Sequence, residues 1–429
     1  MKVRFYNLGC KVNFAETSAM REEFSAVGYS EAAAEEQADV VVINTCTVTS
    51  RADADCRKVI RRARRENPDA YLAVMGCYAQ LRADEIQEID GVDGIFGAQD
   101  KFSILTSIRD FRRRPAPDLF VGADIARDFH GAASAESDSR ARAVLKIQDG
   151  CDYKCSYCAI PAARGGSRSM PFEEILPAAR KLREAGYREI ILTGINLGEY
   201  DDGGKKFGDA LAALAGADFD MRYRISSIEP NLITGNILRL AAESPRVCRH
   251  FHIPLQSGSN KILRLMRRRY NAEFFAEKIV KIKDACPDCA IGVDVITGFP
   301  GEGEPEFRET YELLAGLPVS YLHVFSYSER SGTPAASMPE RVPPAERKRR
   351  TLELRALSKS KLEEFYRSQV GKRLWAVPER YEESSGLWTG HTDNYVDVRF
   401  PESADFREGL VELLLERVAR GKGYGRTVN

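Results

Sequence analysis

The stretch CDYKCSYC, residues 151–158, puts Cys151, Cys155 and Cys158 on one short loop with the spacing C-x3-C-x2-C. Three thiolates so spaced can hold three corners of a cubane iron–sulfur cluster and leave the fourth iron open to an outside ligand. A structural zinc site needs four protein ligands, and zinc knuckles come as paired C-x2-C units. No second half follows here. The loop comes directly after VLKIQDG, which reads as a strand. From there β-type and helix-type patterns alternate. EIILTGI, RYRISSI, HFHIPLQ, AIGVDVITGFP and YLHVFSYS read as further strands, and PFEEILPAARKLREAGY and NAEFFAEKIVKIKDAC as helices. Such a succession predicts a partial (β/α) barrel, a fold that builds its site at the carboxyl ends of its strands.

The 429 residues include ten cysteines, and a disulfide framework is not expected in a large chain of this type. The start, MKVRFYNLGCKVN, lacks the basic-then-apolar pattern of a secretory leader and reads as a first strand. No apolar stretch is long enough to span a membrane, so the expected location is the cytosol. Residues 1–110 alternate between strand-like runs (KVRFYNLG, DVVVINTC, AYLAVMGC) and helix-like ones (TSAMREEFSAVGY, RADADCRKVIRRARREN). That pattern predicts an open parallel α/β sheet. Each strand-like run ends at or just before a cysteine: Cys10, Cys46 and Cys77. Open α/β sheets gather ligands beyond the carboxyl ends of their strands. Buried cysteines are common in cores, so the shared placement is what singles these three out. Cys56, Cys248, Cys286 and Cys289 fit neither set; the last two form C-x2-C at the end of a predicted helix and are expected to pack.

Residues 112–143 read as a loop-rich linker and 332–346 as a Pro-rich connector, followed by a charged helix to about residue 367. The tail, with GKRLWAVPERY, GLWTGHTDNYVDVRF and GLVELLLERVARGKGYGRTV, predicts a small β-barrel of a kind that often binds nucleic acid. Lys and Arg together number 63, as do Asp and Glu, so a nucleic-acid partner has to be held by local patches. Four runs offer them. RKVIRRARR brings Arg57, Arg61, Arg64 and Arg65 near one helical face, and RRR (267–269), RKRR (347–350) and ARGKGYGR (419–426) add to it. Such runs can track phosphates.

The loop at 151–158 resembles the radical S-adenosylmethionine (SAM) motif, in which an aromatic residue, here Tyr157, precedes the third cysteine. The resemblance implies that Tyr157 packs beside the SAM adenine and that the open iron binds the methionine part of SAM. NLGCKVN, INTCTVT and MGCYAQ are similar to the amino-terminal domain of the methylthiotransferase family, which implies a second, auxiliary [4Fe–4S] cluster on Cys10, Cys46 and Cys77. TGINLGEY, SSIEP, HIPLQSGSN, TGFPGE and FSYSERSGTPAA resemble that family's barrel motifs. They imply that Thr193, Gly194 and Asn196, then Ser227 and Glu229, then Gln256 and Ser257, face SAM from successive strand ends. The tail resembles the RNA-binding TRAM domain. The implied domains are 1–112 (auxiliary cluster), 137–367 (radical SAM core) and 369–429 (TRAM-like).

LGCKVNFAE, NTCTVT and MGCYAQ look most like the branch that acts on N6-threonylcarbamoyladenosine in tRNA, although Phe14 and Ala15 depart from its usual residues. The YGCQMN-like first motif usual in the isopentenyl-adenosine branch is absent. The family's third target is an aspartate of a ribosomal protein, against which the basic residues Lys372, Arg373, Lys422 and Arg426 of the tail argue. The resemblance implies two SAM molecules per product. One methylates a sulfur at the auxiliary cluster. The other is cleaved at the second cluster to a radical that removes the C2 hydrogen of an adenosine extruded from the anticodon loop. It also implies an electron donor such as flavodoxin or ferredoxin and a sulfur source. The residues point to no general acid or base.

Overall fold

The run VVVINT carries no polar side chain before Asn44, and all six of its residues are buried. A strand covered on both faces loses its polar alternation, which is the mark of a parallel sheet with helices on either side. A computed structural model describes residues 1–122, 125, 128–135, 141–402 and 409–428, and this strand lies at the centre of such a sheet. The strands are β1 (Lys2–Asn7), β2 (Ser30–Glu31), β3 (Val40–Thr45), β4 (Tyr71–Gly76), β5 (Gly94–Phe96) and β6 (Asp118–Phe120). Their spatial order is β2-β1-β3-β4-β5-β6, and every pairing is parallel.

The helices that follow β1, β3 and β4 are α1 (Lys11–Ala26), α2 (Ser50–Glu66) and α3 (Cys77–Leu81). Alternate residues of β3 and β4 feed two cores. Val41, Ile43, Leu72 and Val74 pack with Cys56, Ile60 and Ala63 of α2. Val40, Val42, Tyr71 and Met75 pack with Met20 and Phe24 of α1. The stretch read as a loop-rich linker supplies β6, the sheet's edge strand, and β7 (Ala132–Ala135). Their short runs carry too little apolar pattern to stand out beside Arg, Pro and Ala, and pairing with β5 is what makes β6 a strand.

The chain divides into two compact units. The first comprises residues 1–134, 148–169 and 328–336, so the C-x3-C-x2-C loop belongs with the amino-terminal sheet. The second comprises 135–147, 170–327 and 337–429. It holds β8 (Arg142–Lys146), β9 (Glu189–Thr193), β10 (Arg222–Ile225), β11 (His250–Gln256), β12 (Ala290–Thr297) and β13 (Tyr321–Ser326). β8, β9 and β10 pair in parallel, as do β11, β12 and β13. The parallel bridge Ser227–His252 continues the curve from β10 to β11, completing a partial barrel.

The last helix of this unit, α4 (Pro344–Ser368), starts with proline at its first turn, where a missing N–H costs nothing. It backs β13: the Ser358 hydroxyl accepts from Leu322 N at 2.8 Å and donates to Leu322 O at 3.0 Å. Five strands then close a small barrel: β14 (Arg373–Glu382), β15 (Leu387–Thr392), β16 (Asp397–Pro401), β17 (Val411–Ala419) and β18 (Lys422–Thr427). Its core of Leu374, Val396, Val398, Phe400, Leu413 and Leu415 includes Phe365 and Tyr366 of α4. The fold is therefore the three-part α/β, partial-barrel and β-barrel arrangement that the sequence predicts. Among the described residues, no helix is long and apolar enough to cross a membrane.

Candidate metal centres and cofactor contacts

The first unit carries seven of the ten cysteines, and six of them fall into two groups. Cys10 caps the start of α1, Cys46 follows β3 and Cys77 opens α3 directly after β4. The three sheet strands therefore deliver their thiols to one end of the sheet. Gly9 adopts φ +121°, and a Cβ there would lie 2.8 Å from Cys46 Cβ, so only glycine lets the Cys10 turn approach Cys46. Asn13 ties the turn down: its amide donates to Leu8 O at 2.9 Å and to Thr45 O at 3.1 Å.

Burial, then the neighbouring Cys77, push the Cys46 thiol up to about 12. Burial also raises Cys77, opposed by Arg164 and Lys101. Buried thiols held this way give up their protons when a metal takes their place, which is the chemistry a thiolate-ligated cluster requires. The soft donor set and its placement fit a cluster. Cys56 lies one layer further in, in the α2 core, with its thiol donating to Cys46 O at 3.4 Å.

The second group is Cys151, Cys155 and Cys158. The loop is folded on itself: Cys158 N donates to Cys155 O, and Cys151 N to Gly165 O. Two of its sulfurs already accept backbone N–H groups, Cys151 from Tyr153 and Cys158 from Ile160, each at 3.4 Å. Such donors stabilise sulfur that carries negative charge. Gly150, at φ +72°, has no room for a side chain, since a Cβ would stand 1.9 Å from Gly166 O. Tyr157 is half-buried in this loop.

Between the groups runs a buried charge network that has no signal in the sequence. Arg164, at the end of the short helix after the loop, donates from Nε to Cys77 Sγ at 3.3 Å. Its Nη1 reaches Glu16 Oε1 and Asp149 Oδ1, both at 3.0 Å, and its Nη2 donates to Asn13 Oδ1 at 2.5 Å. Lys101 adds a second cation to Glu16 at 2.7 Å. One guanidinium thus joins a thiol of the first group, the α1 side chains behind Cys10, and Asp149, two residues before Cys151. A further pair in this unit links Arg330 to Asp53 at 2.7 Å and to Thr47 at 2.5 Å.

The other expected cofactor residues lie in the second unit. Thr193 ends β9, and Gly194 and Asn196 follow it; Thr193 and Asn196 are buried. Ser227 and Glu229 follow β10, and Gln256 ends β11. Gln256 adopts φ +70° at an irregularity in the β11–β12 register. A non-glycine residue in the left-handed region is strained, and such strain gathers at functional sites. Glu229 is engaged by Arg268, whose guanidinium also contacts the Tyr270 hydroxyl. Burial raises the Glu229 carboxyl and Arg268 opposes it. Ser257 is buried, with its hydroxyl 3.2 Å from Thr310 Oγ1, and Gly258 N donates to the same oxygen at 2.9 Å. Cys248 lies beside Glu189 at 3.6 Å, the Cys289 thiol donates to Ala290 O at 3.4 Å and the Cys286 thiol to Ala241 O at 4.0 Å, and all three are buried within the second unit.

The basic runs fare differently from expectation. Arg64 is drawn inward to Asp93 at 2.6 Å and to Gly91 O, while Arg57 bonds the Tyr78 hydroxyl at 2.9 Å. Arg268 is the partner of Glu229, and Arg350 that of Glu302 at 2.7 Å. Arg347 donates to Val342 O and Tyr327 O. Lys372, Arg373, Lys422 and Arg426 meet Asp288, Glu412, Asp397 and Glu416. Much of the basic sequence is thus structural, although Arg61, Arg65, Arg267 and Lys348 are exposed.

Residues 2–97 match the family described as uncharacterized protein family UPF0004, and residues 145–314 match the radical SAM superfamily. The chain is 42% identical to the threonylcarbamoyladenosine tRNA methylthiotransferase MtaB of Bacillus subtilis, over 99% of this chain and 96% of that protein. It is 36% identical to the protein of the same name from Aquifex aeolicus, over 96% and 98%. A tRNA-2-methylthio-N(6)-dimethylallyladenosine synthase of Chloroherpeton thalassium is 30% identical over 94% of this chain and 91% of that one. Among solved structures, the radical SAM methyltransferase TsrM of Kitasatospora setae shares the fold, with a TM-score of 0.56 at 13% identity over 78% of this chain and 74% of that one. The strand-end thiols, the C-x3-C-x2-C loop and this full-length similarity place the chain in the radical SAM methylthiotransferase family.

Proposed function

We propose that this protein adds a methylthio group to C2 of N6-threonylcarbamoyladenosine next to the anticodon of tRNA. The observation that carries the reading is the sorting of six thiols of one unit into two triads, one beyond the strand ends and one on a single loop. The substrate assignment is supported by the higher identity to relatives named for threonylcarbamoyladenosine than to one named for dimethylallyladenosine. In this reading Cys151, Cys155 and Cys158 hold one [4Fe–4S] cluster, and Cys10, Cys46 and Cys77 hold a second. When bound, the first supplies an open iron and one electron for SAM cleavage, and the second a site for the sulfur to be transferred.

The chain's own residues do the placing. Arg164 neutralises the Cys77 side of the auxiliary triad. The backbone N–H groups of Tyr153 and Ile160 stabilise the loop sulfurs. Tyr157, Thr193, Gly194, Asn196, Ser227 and Gln256 bind SAM, and the strained Gln256 is pre-set for it. Glu229 contributes through its ion pair with Arg268. The domains act as 1–112 for the auxiliary cluster, 137–367 for the radical core and 369–429 for RNA. A small electron-transfer protein of the flavodoxin or ferredoxin class and a sulfur source complete the system, in the cytoplasm.

The test is anaerobic reconstitution of Cys155→Ala and Cys46→Ala with tRNA bearing threonylcarbamoyladenosine. Cys155→Ala is expected to release no deoxyadenosine. Cys46→Ala is expected to release it and form no methylthio product. A folded Cys46→Ala protein that has lost both activities contradicts the division of labour. Persistence of the methylthio nucleoside in tRNA from a strain lacking this gene as its sole source contradicts the substrate.

A further inference from the structure

Within the second unit, β11, β12 and β13 carry polar side chains at alternate positions on one face. His252, Asp294 and His323 meet there. His252 Nε2 lies 2.7 Å from Asp294 Oδ1, and His323 Nδ1 lies 3.5 Å from the same oxygen. Asp294 and His323 are direct register partners on β12 and β13. The ligating atoms of all three lie within 4.8 Å of one another. Burial alone would raise the Asp294 carboxyl, but the two imidazoles outweigh it and hold it down at about 2, so it is an ionised anchor.

The layer beneath is closed. His250 Nε2 is 2.7 Å from the Tyr321 hydroxyl, and the Tyr395 ring stacks on His250 with centroids 4.3 Å apart. Gly292, the register partner of His252, leaves space for the Tyr321 ring, which a Cβ would strike at 2.3 Å. The upper layer is open by comparison. The side chains of His252, Asp294 and His323 are 17%, 20% and 48% exposed. Phe325, two residues beyond His323 on the same face of β13, is 47% exposed. The other face of β13 is covered by α4 through Leu322. Unlike the layer below, this cluster is open to an outside group. It is a polar floor with an exposed aromatic ring beside it, a combination that suits an unstacked base carrying a polar substituent.

We infer that His252, Asp294 and His323 form the subsite for the polar N6 substituent of the substrate adenosine, with its carboxylate and hydroxyl. Each imidazole spends one ring nitrogen on Asp294, which fixes its orientation, and turns the other to the substituent. The inference rests on the substrate reading given above. It also supplies a physical basis for choice between adenosines. An isopentenyl group laid on this floor would strip water from three polar side chains and return no hydrogen bond, and a site built for hydrogen bonding rejects such an analogue strongly. A divalent cation is the competing occupant of two imidazoles and a carboxylate. The short His252–Asp294 contact favours the hydrogen-bonded arrangement, because the two groups point their ligand atoms at each other.

The test is equilibrium binding of anticodon stem–loops to the cluster-loaded protein, without reductant so that no turnover occurs. The loops carry threonylcarbamoyladenosine, its carboxylate methyl ester, isopentenyl-adenosine or unmodified adenosine. The wild-type protein is expected to bind the first about tenfold more tightly than the last, and the ester to lose most of that gain. His323→Ala and His252→Gln are expected to bring the ratio close to one while leaving affinity for the unmodified loop within about twofold. Iron content and melting temperature establish that each variant is folded and loaded. A wild-type preference that both variants keep overturns the inference alone, as does equal weakening toward every loop. One zinc or manganese ion per chain, bound by the wild type and lost in His323→Ala, also overturns it in favour of a metal site. Tightest binding of the isopentenyl loop overturns the substrate reading and the inference together.

Discussion

Arg164 shows how much one side chain can be asked to hold. Its guanidinium is enclosed, and it balances Glu16 and Asp149 while donating to Cys77. Arg164→Met keeps the volume and removes the charge, leaving two buried carboxylates, beside Lys101 and Arg168, with one cation fewer. Breaking a buried pair on one side costs about 3–5 kcal/mol. The expected result is a melting temperature lowered by several degrees and auxiliary iron lost before the iron of the loop cluster, read by iron analysis and by the cluster spectra of Arg164→Met beside Arg164→Lys. An unchanged melting temperature in Arg164→Met would show that the network does not stabilise the fold. The sequence made the six cysteines readable, because a thiol directly after a strand or in C-x3-C-x2-C has few other uses. It could not reveal Arg164 as their companion. Arginine after a loop is ordinarily a surface residue, and its partners Asn13, Glu16 and Lys101 are distant in the chain and become neighbours only once the sheet is formed.

At the scale of elements, strands buried on both faces were legible from their unbroken apolar runs, and the strands read from β8 to β13 agree with those observed to within a few residues. β6 was not legible, since an edge strand of three residues is defined by its partner. Nor was the polar interior of the second unit. β8, β9 and β10 carry Arg142, Glu189, Arg222 and Arg224, all buried. Arg222 and Arg224 reach Glu189 at 2.6 and 2.7 Å. Burial would raise Glu189, but the two arginines outweigh it and keep its carboxyl well below the usual range. The same guanidiniums donate to Trp375 O, His391 O, Thr392 O and Asp393 O of the carboxyl-terminal barrel. The strands of the radical core thus end, on this side, in hydrogen bonds to the tail. Arg224→Met is expected to cost about 3–5 kcal/mol, and Glu189→Gln a similar amount. The double variant should cost less than their sum, because one network is lost once. Urea unfolding of the four proteins checks this, and strict additivity would show that the clamp is not a unit.

For the whole molecule, the question is how a chain with equal numbers of acids and bases holds a polyanion. Read as a string, the four basic runs suggest a strong electrostatic grip. Folded, they are largely committed: Arg64, Arg268, Arg347 and Arg350 are internal struts, and Lys422 and Arg426 of the tail face carboxylates. Among the described residues, exposed members that face no carboxylate, such as Arg61, Arg65, Arg267, Lys348 and Arg420, are fewer, since Lys58, Arg62, Arg349 and Arg426 are exposed but ion-paired. Each phosphate neutralised on a single strand contributes about −0.7 to the slope of log affinity against log salt. Were all four runs engaged, roughly ten contacts would give a slope near −7. With a handful of exposed cations the slope should lie near about −3. Fluorescence anisotropy of labelled tRNA between about 50 and 300 mM KCl measures it within the range where this law holds. Removing Arg61 and Arg65 together should flatten the slope by about one further unit without lowering the melting temperature. Arg350→Met should do the reverse, lowering the melting temperature through the unpaired Glu302 and leaving the slope alone. A wild-type slope steeper than about −6 would mean that the struts open to meet the RNA, and that recognition is chiefly a matter of charge. A shallow slope instead leaves selection to stacking, hydrogen bonding and the fit of the extruded base, as expected for an enzyme that has to read one modified nucleoside in a loop.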